Sequence, residues 1–117
     1  MFTRAQLLEA SCSHQTERAS DAQINDALAV LTDWQVVNSN FQREFRLGDY
    51  HQTMAFVNAV AEIAHHEDHH PELVVGYNRC TVRYNTHSVG GLSENDFICA
   101  AKVDEMHMKG PWQSTKA

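Results

Sequence analysis

Five of the eight histidines, His65, His66, His69, His70 and His87, fall within 23 residues. Imidazole changes charge near neutral pH, so it can take or give a proton there. The run His65-His66-Glu67-Asp68-His69-His70-Pro71 admits two chemistries. One is metal binding. His65/His69 and His66/His70 are i, i+4 pairs, and such pairs on a helix can grip zinc. Pro71 works against this, because the residue before a proline is pushed out of the helical region and His70 leaves the register. No CxxC or HExxH pattern adds further ligands. No metal and no cofactor are therefore expected. The other chemistry is general acid–base catalysis. A base takes one proton, an acid gives one to a departing hydroxyl, and two or three imidazoles around one pocket suffice.

Each candidate also has a plainer reading. Charged histidines at a helix end interact favourably with the helix dipole and can simply be solvated. His66 reads that way, as do His14, His51 and His107. His65 stands between a site wall and a surface position. Asp96 reads as the capping partner of Ser93, a role compatible with that of a site carboxylate. Gly90-Gly91 reads as a tight loop rather than an anion cradle. Cys80 and Cys99 read as small core residues. Trp112 has no assigned role.

The elements that would position these groups follow from periodicity and caps. Residues 3–10 allow a short helical turn, and 11–20 read as a polar loop. Ser20 and Gln23 form a capping-box pattern before Ile24, Ala27, Leu28 and Leu31, which predicts a helix to about Asp33. Trp34–Val37 reads as a strand and Asn38-Ser39-Asn40 as a turn. Phe41, Arg43, Phe45 and Leu47 alternate with polar residues, which predicts a second strand in a hairpin with one wet face. Asp49 starts a helix to about His66, with Met54, Val57, Val60, Ala61 and Ala64 as its apolar face and Phe56 and Ile63 beside it. Leu73–Tyr77 and Cys80–Asn85 read as a second hairpin turning at Asn78-Arg79. Ser93 caps a last helix from Glu94 to about Met106. The expected fold is α+β: a four-stranded antiparallel sheet with three helices on one face, in the order α-β-β-α-β-β-α. Residues 1–117 read as a single domain, with 1–20 as an N-terminal extension and 109–117 as a flexible tail.

Composition narrows the function classes. Of the residues, 43% are hydrophobic, which is globular usage. The net charge of −6 comes with no basic stripe, which disfavours direct nucleic-acid binding and an anionic membrane surface. No apolar run is long enough to cross a membrane. Met1 to Ser20 carries Glu9 and Glu17 and lacks the apolar stretch of a signal peptide. Cys12, Cys80 and Cys99 are odd in number and far apart, which suits reduced thiols and a cytoplasmic location.

The histidine spacing resembles the pterin-4a-carbinolamine dehydratase family. Its signature is an acidic residue or histidine, three residues, then His-His-Pro or His-Asn-Pro, an aromatic, and a later histidine. His65, His69-His70-Pro71, Tyr77 and His87 fall at those spacings. Gly91-Leu92-Ser93-Glu94-Asn95-Asp96 is similar to the family's Gly-Leu-Ser/His-x-x-Asp stretch. The match runs from about Leu31 to Val103. Family members often carry Glu at the position of His65, and some carry an aromatic at that of Leu73 and Arg at that of Asn95. The resemblance implies a hydro-lyase that converts 4a-hydroxytetrahydropterin to quinonoid dihydropterin and water, so that a pterin cofactor is recycled. It implies His69 and His87 as the proton-transfer pair and His70 as a residue that mainly binds and orients the pterin. His65, Pro71 and Asp96 would line or shape the site. It also implies a homodimer or homotetramer. The alternative is a dimerisation or binding module for a transcription factor or hydroxylase, without essential catalysis.

Overall fold

The computed structural model describes residues 2–112. Four helices and one four-stranded sheet follow in the order α1 (Arg4–Glu9), α2 (Asp21–Val30), β1 (Gln35–Val37), β2 (Asn40–Arg46), α3 (Tyr50–Glu67), β3 (Glu72–Val75), β4 (Arg79–Tyr84) and α4 (Glu94–Lys109). A single 3₁₀ turn, His87–Val89, joins β4 to α4. From α2 onward this is the α+β order expected from the sequence. Among the described residues no helix is long and apolar enough to cross a membrane.

Each helix begins where a polar side chain can satisfy free backbone N–H groups. Thr3 with Gln6, Ser20 with Gln23 and Ser93 with Asp96 form capping boxes, and Asp49 accepts from the Gln52 N–H. The β1–β2 hairpin turns on Asn38 and Ser39, both with positive φ (50° and 65°), the geometry that matches the twist of the flanking strands. The sheet is antiparallel throughout, ordered β1-β2-β4-β3. Its outer face is polar, as expected: Arg83 donates to Gln42 Oε1 at 3.2 Å and to Glu72 Oε1 at 3.1 Å. Its inner face carries Phe41, Phe45, Cys80, Val82 and Tyr84, all buried against α3 and α4. Most of α4 is buried, from Asn95 to Ala101 and again at Val103, Asp104 and His107.

Three sequence expectations are corrected. The buried face of α3 is Thr53, Phe56, Val60, Ala64 and Glu67, with Val57 and Ile63 packed beside it; of the expected stripe, Ala61 is exposed and Met54 only half-buried. Two polar residues disguised it: the Thr53 hydroxyl reaches the carbonyls of Asp49 and Tyr77, and Glu67 is paired with Lys102. His107, read as solvent-facing, is buried against Phe45 and Phe56. The beginning of the expected tail is held in place. Lys109 closes α4, and Trp112 donates to the Met106 carbonyl at 3.2 Å and packs edge-on against Phe56; residues 113–117 lie outside the described part. The short helical turn read at residues 3–10 is present as α1, capped by Thr3, and it adds Leu7 to the core.

Candidate active site

The two hairpin registers bring the chemically interesting segments to one end of the sheet. Glu72 pairs with Arg83 at the start of β3 and the end of β4. Residues 69–71, which enter β3, therefore lie beside residues 85–87, which leave β4. The C-terminus of α3 aims the first segment. Asp68 adopts a left-handed conformation (φ 51°), its N–H bonds back to Ala64 and His65, and the His69 N–H bonds to the Ala64 carbonyl at 3.1 Å. This Schellman-type closure satisfies the last carbonyls of the helix and throws His69-His70-Pro71 out as extended chain. The histidines thus leave helical geometry before Pro71, as the proline implied. The His65/His69 pair does not form a helical grip, because His69 is turned towards α4.

His69 is held on two sides. Its Nε2 lies 2.6 Å from Asp96 Oδ1. Its ring stacks on Tyr84 with centroids 5.7 Å apart and planes within 8°. The Asp96 side chain is wholly buried, against 13% exposure for His69. Its second oxygen, Oδ2, accepts from the Thr86 hydroxyl and from the Ser93 N–H, each at 2.9 Å. Thr86 Oγ1 in turn lies 2.7 Å from Ser93 Oγ. A carboxylate with three donors around it is a strong acceptor. With Asp96 accepting as a carboxylate, His69 Nε2 carries the proton of this bond. Burial pushes the Tyr84 phenol well above its ordinary range, with smaller contributions from Cys99, Cys12 and Asp96, so the stacked ring stays protonated.

Four of the six expected site residues line two cavities. His70, Pro71 and His87 line one cleft of about 470 Å³ together with Asn40, Glu72, Arg83 and Asn85. His69 lines a second, of about 160 Å³, with Thr86, Ser88, Asp68, Asn95 and the segment around Cys12. Thr86, which lines the His69 cavity, donates to the carboxylate behind His69, and His87 follows it in the chain. His70 and His87 are solvent-exposed, whereas Asp96 faces inward to His69 rather than into either cleft. His65 is exposed on the last turn of α3 and lines neither cleft. Among the described residues no group of three or more His, Cys, Asp or Glu is arranged to hold a metal ion.

Residues 17–106 match the family model described as pterin 4 alpha carbinolamine dehydratase. The chain belongs to this family. Relatives named after the same dehydratase include one from Nitrosospira multiformis, 50% identical over 95 residues, covering 81% of this chain and 84% of the relative. Another, from Bdellovibrio bacteriovorus, is 49% identical over 111 residues, covering 91% and 92%. Among solved structures, the transcriptional coactivator/pterin dehydratase from Brucella melitensis is 34% identical with a TM-score of 0.73, over 77% of this chain and 98% of that one. A pterin dehydratase-like protein described as a RuBisCO assembly factor of the alpha-carboxysome is 26% identical with a TM-score of 0.52, over 62% of this chain and 84% of that one.

Sequence reasoning missed Thr86, Tyr84 and the second role of Ser93. Ser93 and Asp96 were visible as a cap, but one oxygen of a capping carboxylate can serve elsewhere, and only packing shows where. Thr86 carried a usable signal: it is a small hydroxyl residue immediately before a candidate histidine and at the end of a strand.

Proposed function

We propose that this chain is a dehydratase acting on 4a-hydroxytetrahydropterin, releasing quinonoid dihydropterin and water by histidine acid–base catalysis. The observation that carries the reading is the buried Asp96 carboxylate 2.6 Å from His69 Nε2. A carboxylate so placed fixes the tautomer and the orientation of the imidazole, which a proton-transfer group needs. Loss of the hydroxyl requires one proton delivered to the departing oxygen and one removed from the pterin ring system. His69 and His87 take these two roles, each from its own cavity. His70 and Pro71, on the His87 side, bind and orient the ring; His65 lies at the periphery. Asp96 acts as a positioning residue, since its oxygens are occupied and it is buried. The reaction draws on these side chains alone, without metal or cofactor. The protein works as a cytoplasmic homo-oligomer, for which the open edge of β3, with Val74 and Val75 exposed, offers one contact surface.

The direct test is the rate of 4a-hydroxytetrahydropterin loss with and without purified protein, before and after strong chelation. A protein-dependent rate well above the spontaneous one, unchanged by the chelator, is expected. No acceleration would overturn the reading, and a loss restored by zinc would overturn its metal-free form.

A further inference from the structure

Two sulfurs that the proposed reaction does not use lie in contact beside the His69 cavity. Cys12 Sγ and Cys99 Sγ are 3.5 Å apart although their residues are 87 positions apart in sequence. Cys99 is fully buried on α4, in the turn after Asp96. Cys12 is partly exposed and forms part of the wall of the cavity that His69 lines. The segment that carries Cys12 is fastened to the same two helices as the site. The Cys12 N–H donates to Glu67 Oε1 at 2.8 Å, and Asn95 pairs with the Ser13 backbone in both directions, at 3.0 and 2.8 Å.

We propose that Cys12 and Cys99 form a reversible disulfide that latches the N-terminal segment to α4 beside the His69 cavity. A partly exposed thiol backed by a buried partner is the arrangement of a reactive and a resolving cysteine. The oxidant is a hydroperoxide, small enough to reach Cys12 through the cavity. The Cys12 sulfur attacks one peroxide oxygen, the O–O bond breaks, and the sulfur is oxidised by two electrons to a sulfenic acid. The leaving oxygen departs as water (or as an alcohol, from an organic hydroperoxide) with the Cys12 proton. The Cys99 sulfur then attacks the Cys12 sulfur, and the hydroxide expelled leaves as water with the Cys99 proton. Two thiols and one peroxide thus give one disulfide, two waters in the case of hydrogen peroxide, and no net change in protons. Closing the bond requires the sulfurs to approach to about 2.05 Å. The Cys12 segment supplies the movement, because Cys99 is fixed in the core. Hydrogen bonding to Cys12, then burial, hold the Cys99 thiol in its protonated form, so Cys99 reacts only once Cys12 has been oxidised. Cys80 is buried on β4, with its thiol pushed up to about 11 by burial, and takes no part.

Formation of the bond does not depend on the dehydratase reading, and the test keeps the two apart. The reduced full-length protein is treated with hydrogen peroxide, then digested and mapped without reductant. The expected product is one intrachain Cys12–Cys99 cross-link, lighter by two hydrogens and reversed by dithiothreitol. The melting temperature should rise on oxidation and fall back on reduction, because the bond constrains a long loop of the unfolded chain. Cys80→Ser should still form the cross-link. Cys12→Ser, a change at a partly exposed position, should leave Cys99 unmodified at the same peroxide dose. Three outcomes would overturn the proposal: Cys12 over-oxidised while Cys99 stays a free thiol, links only between chains, or Cys99 oxidised as fast in Cys12→Ser as in the wild type.

Discussion

The proton-transfer role proposed for His69 rests on the neighbours that hold its ring. Asp96 sets its tautomer, Tyr84 sets its plane, and Thr86 and Ser93 keep Asp96 aimed. Asp96→Asn keeps the shape but offers a neutral amide in place of a charged acceptor. It should lower kcat by roughly 10²-fold or more with KM little changed, measured by steady-state kinetics. Thr86→Val removes one donor from the carboxylate and takes the Thr86 hydroxyl from Ser93 Oγ, which keeps only the Asn95 N–H. It should lower kcat less than Asp96→Asn does, and destabilise the fold by about 1–3 kcal/mol. Thr86→Ser should restore both; equal loss in Ser and Val variants would show that the hydroxyl is not what matters. His70→Ala should mainly raise KM, because it removes binding common to ground and transition states.

Among the elements, the end of α3 and the β1–β2 hairpin do most to shape the site and the sheet, and both were readable from local sequence. Pro71 announced that the helix must stop before His70, and Asn38-Ser39-Asn40 announced a turn. The burial of α3 was less legible. Thr53 and Glu67 look like surface residues, but hydrogen bonds to Asp49, Tyr77, Cys12 and Lys102 let them lie inward. Burial by itself would raise the Glu67 carboxyl. Lys102, the Cys12 N–H and His66 outweigh it and hold the group below its usual range. Trp112 was opaque for a related reason, since its anchor on Met106 and Phe56 depends on the α3–α4 packing. The hairpin offers a simple check. Ser39 sits at φ 65°, where glycine carries no side-chain penalty. Ser39→Gly should raise stability by about 0.5–1 kcal/mol in denaturant titration, with no change in kcat.

At the scale of the whole molecule, His107 links stability to pH. Burial lowers its pKa, with Arg43 acting in the same direction and Asp104 and Asp33 opposing. Its Nε2 has no hydrogen-bond partner among the described residues. The folded state therefore prefers the neutral ring, and the unfolded chain binds the extra proton. Stability attributable to His107 is complete above the unfolded pKa of about 6.5 and is lost as pH falls below it. Melting curves between pH 7.5 and roughly 5 should show this loss, and His107→Leu should flatten it. An unchanged slope would remove His107 as the cause. Assembly is the second molecular property. Sedimentation equilibrium at micromolar concentration should show no dominant species at the monomer mass. A fully active monomer would contradict the proposed homo-oligomer.

The central claim is that His69 and His87 transfer the protons of a pterin dehydration. The measurement is kcat for His69→Ala and His87→Ala on freshly generated 4a-hydroxytetrahydropterin, corrected for the spontaneous reaction, with circular dichroism confirming the fold. Each variant should lose roughly 10²–10⁴-fold, and the double variant less than the product of the two losses. Near-normal kcat in both folded single variants would contradict the account.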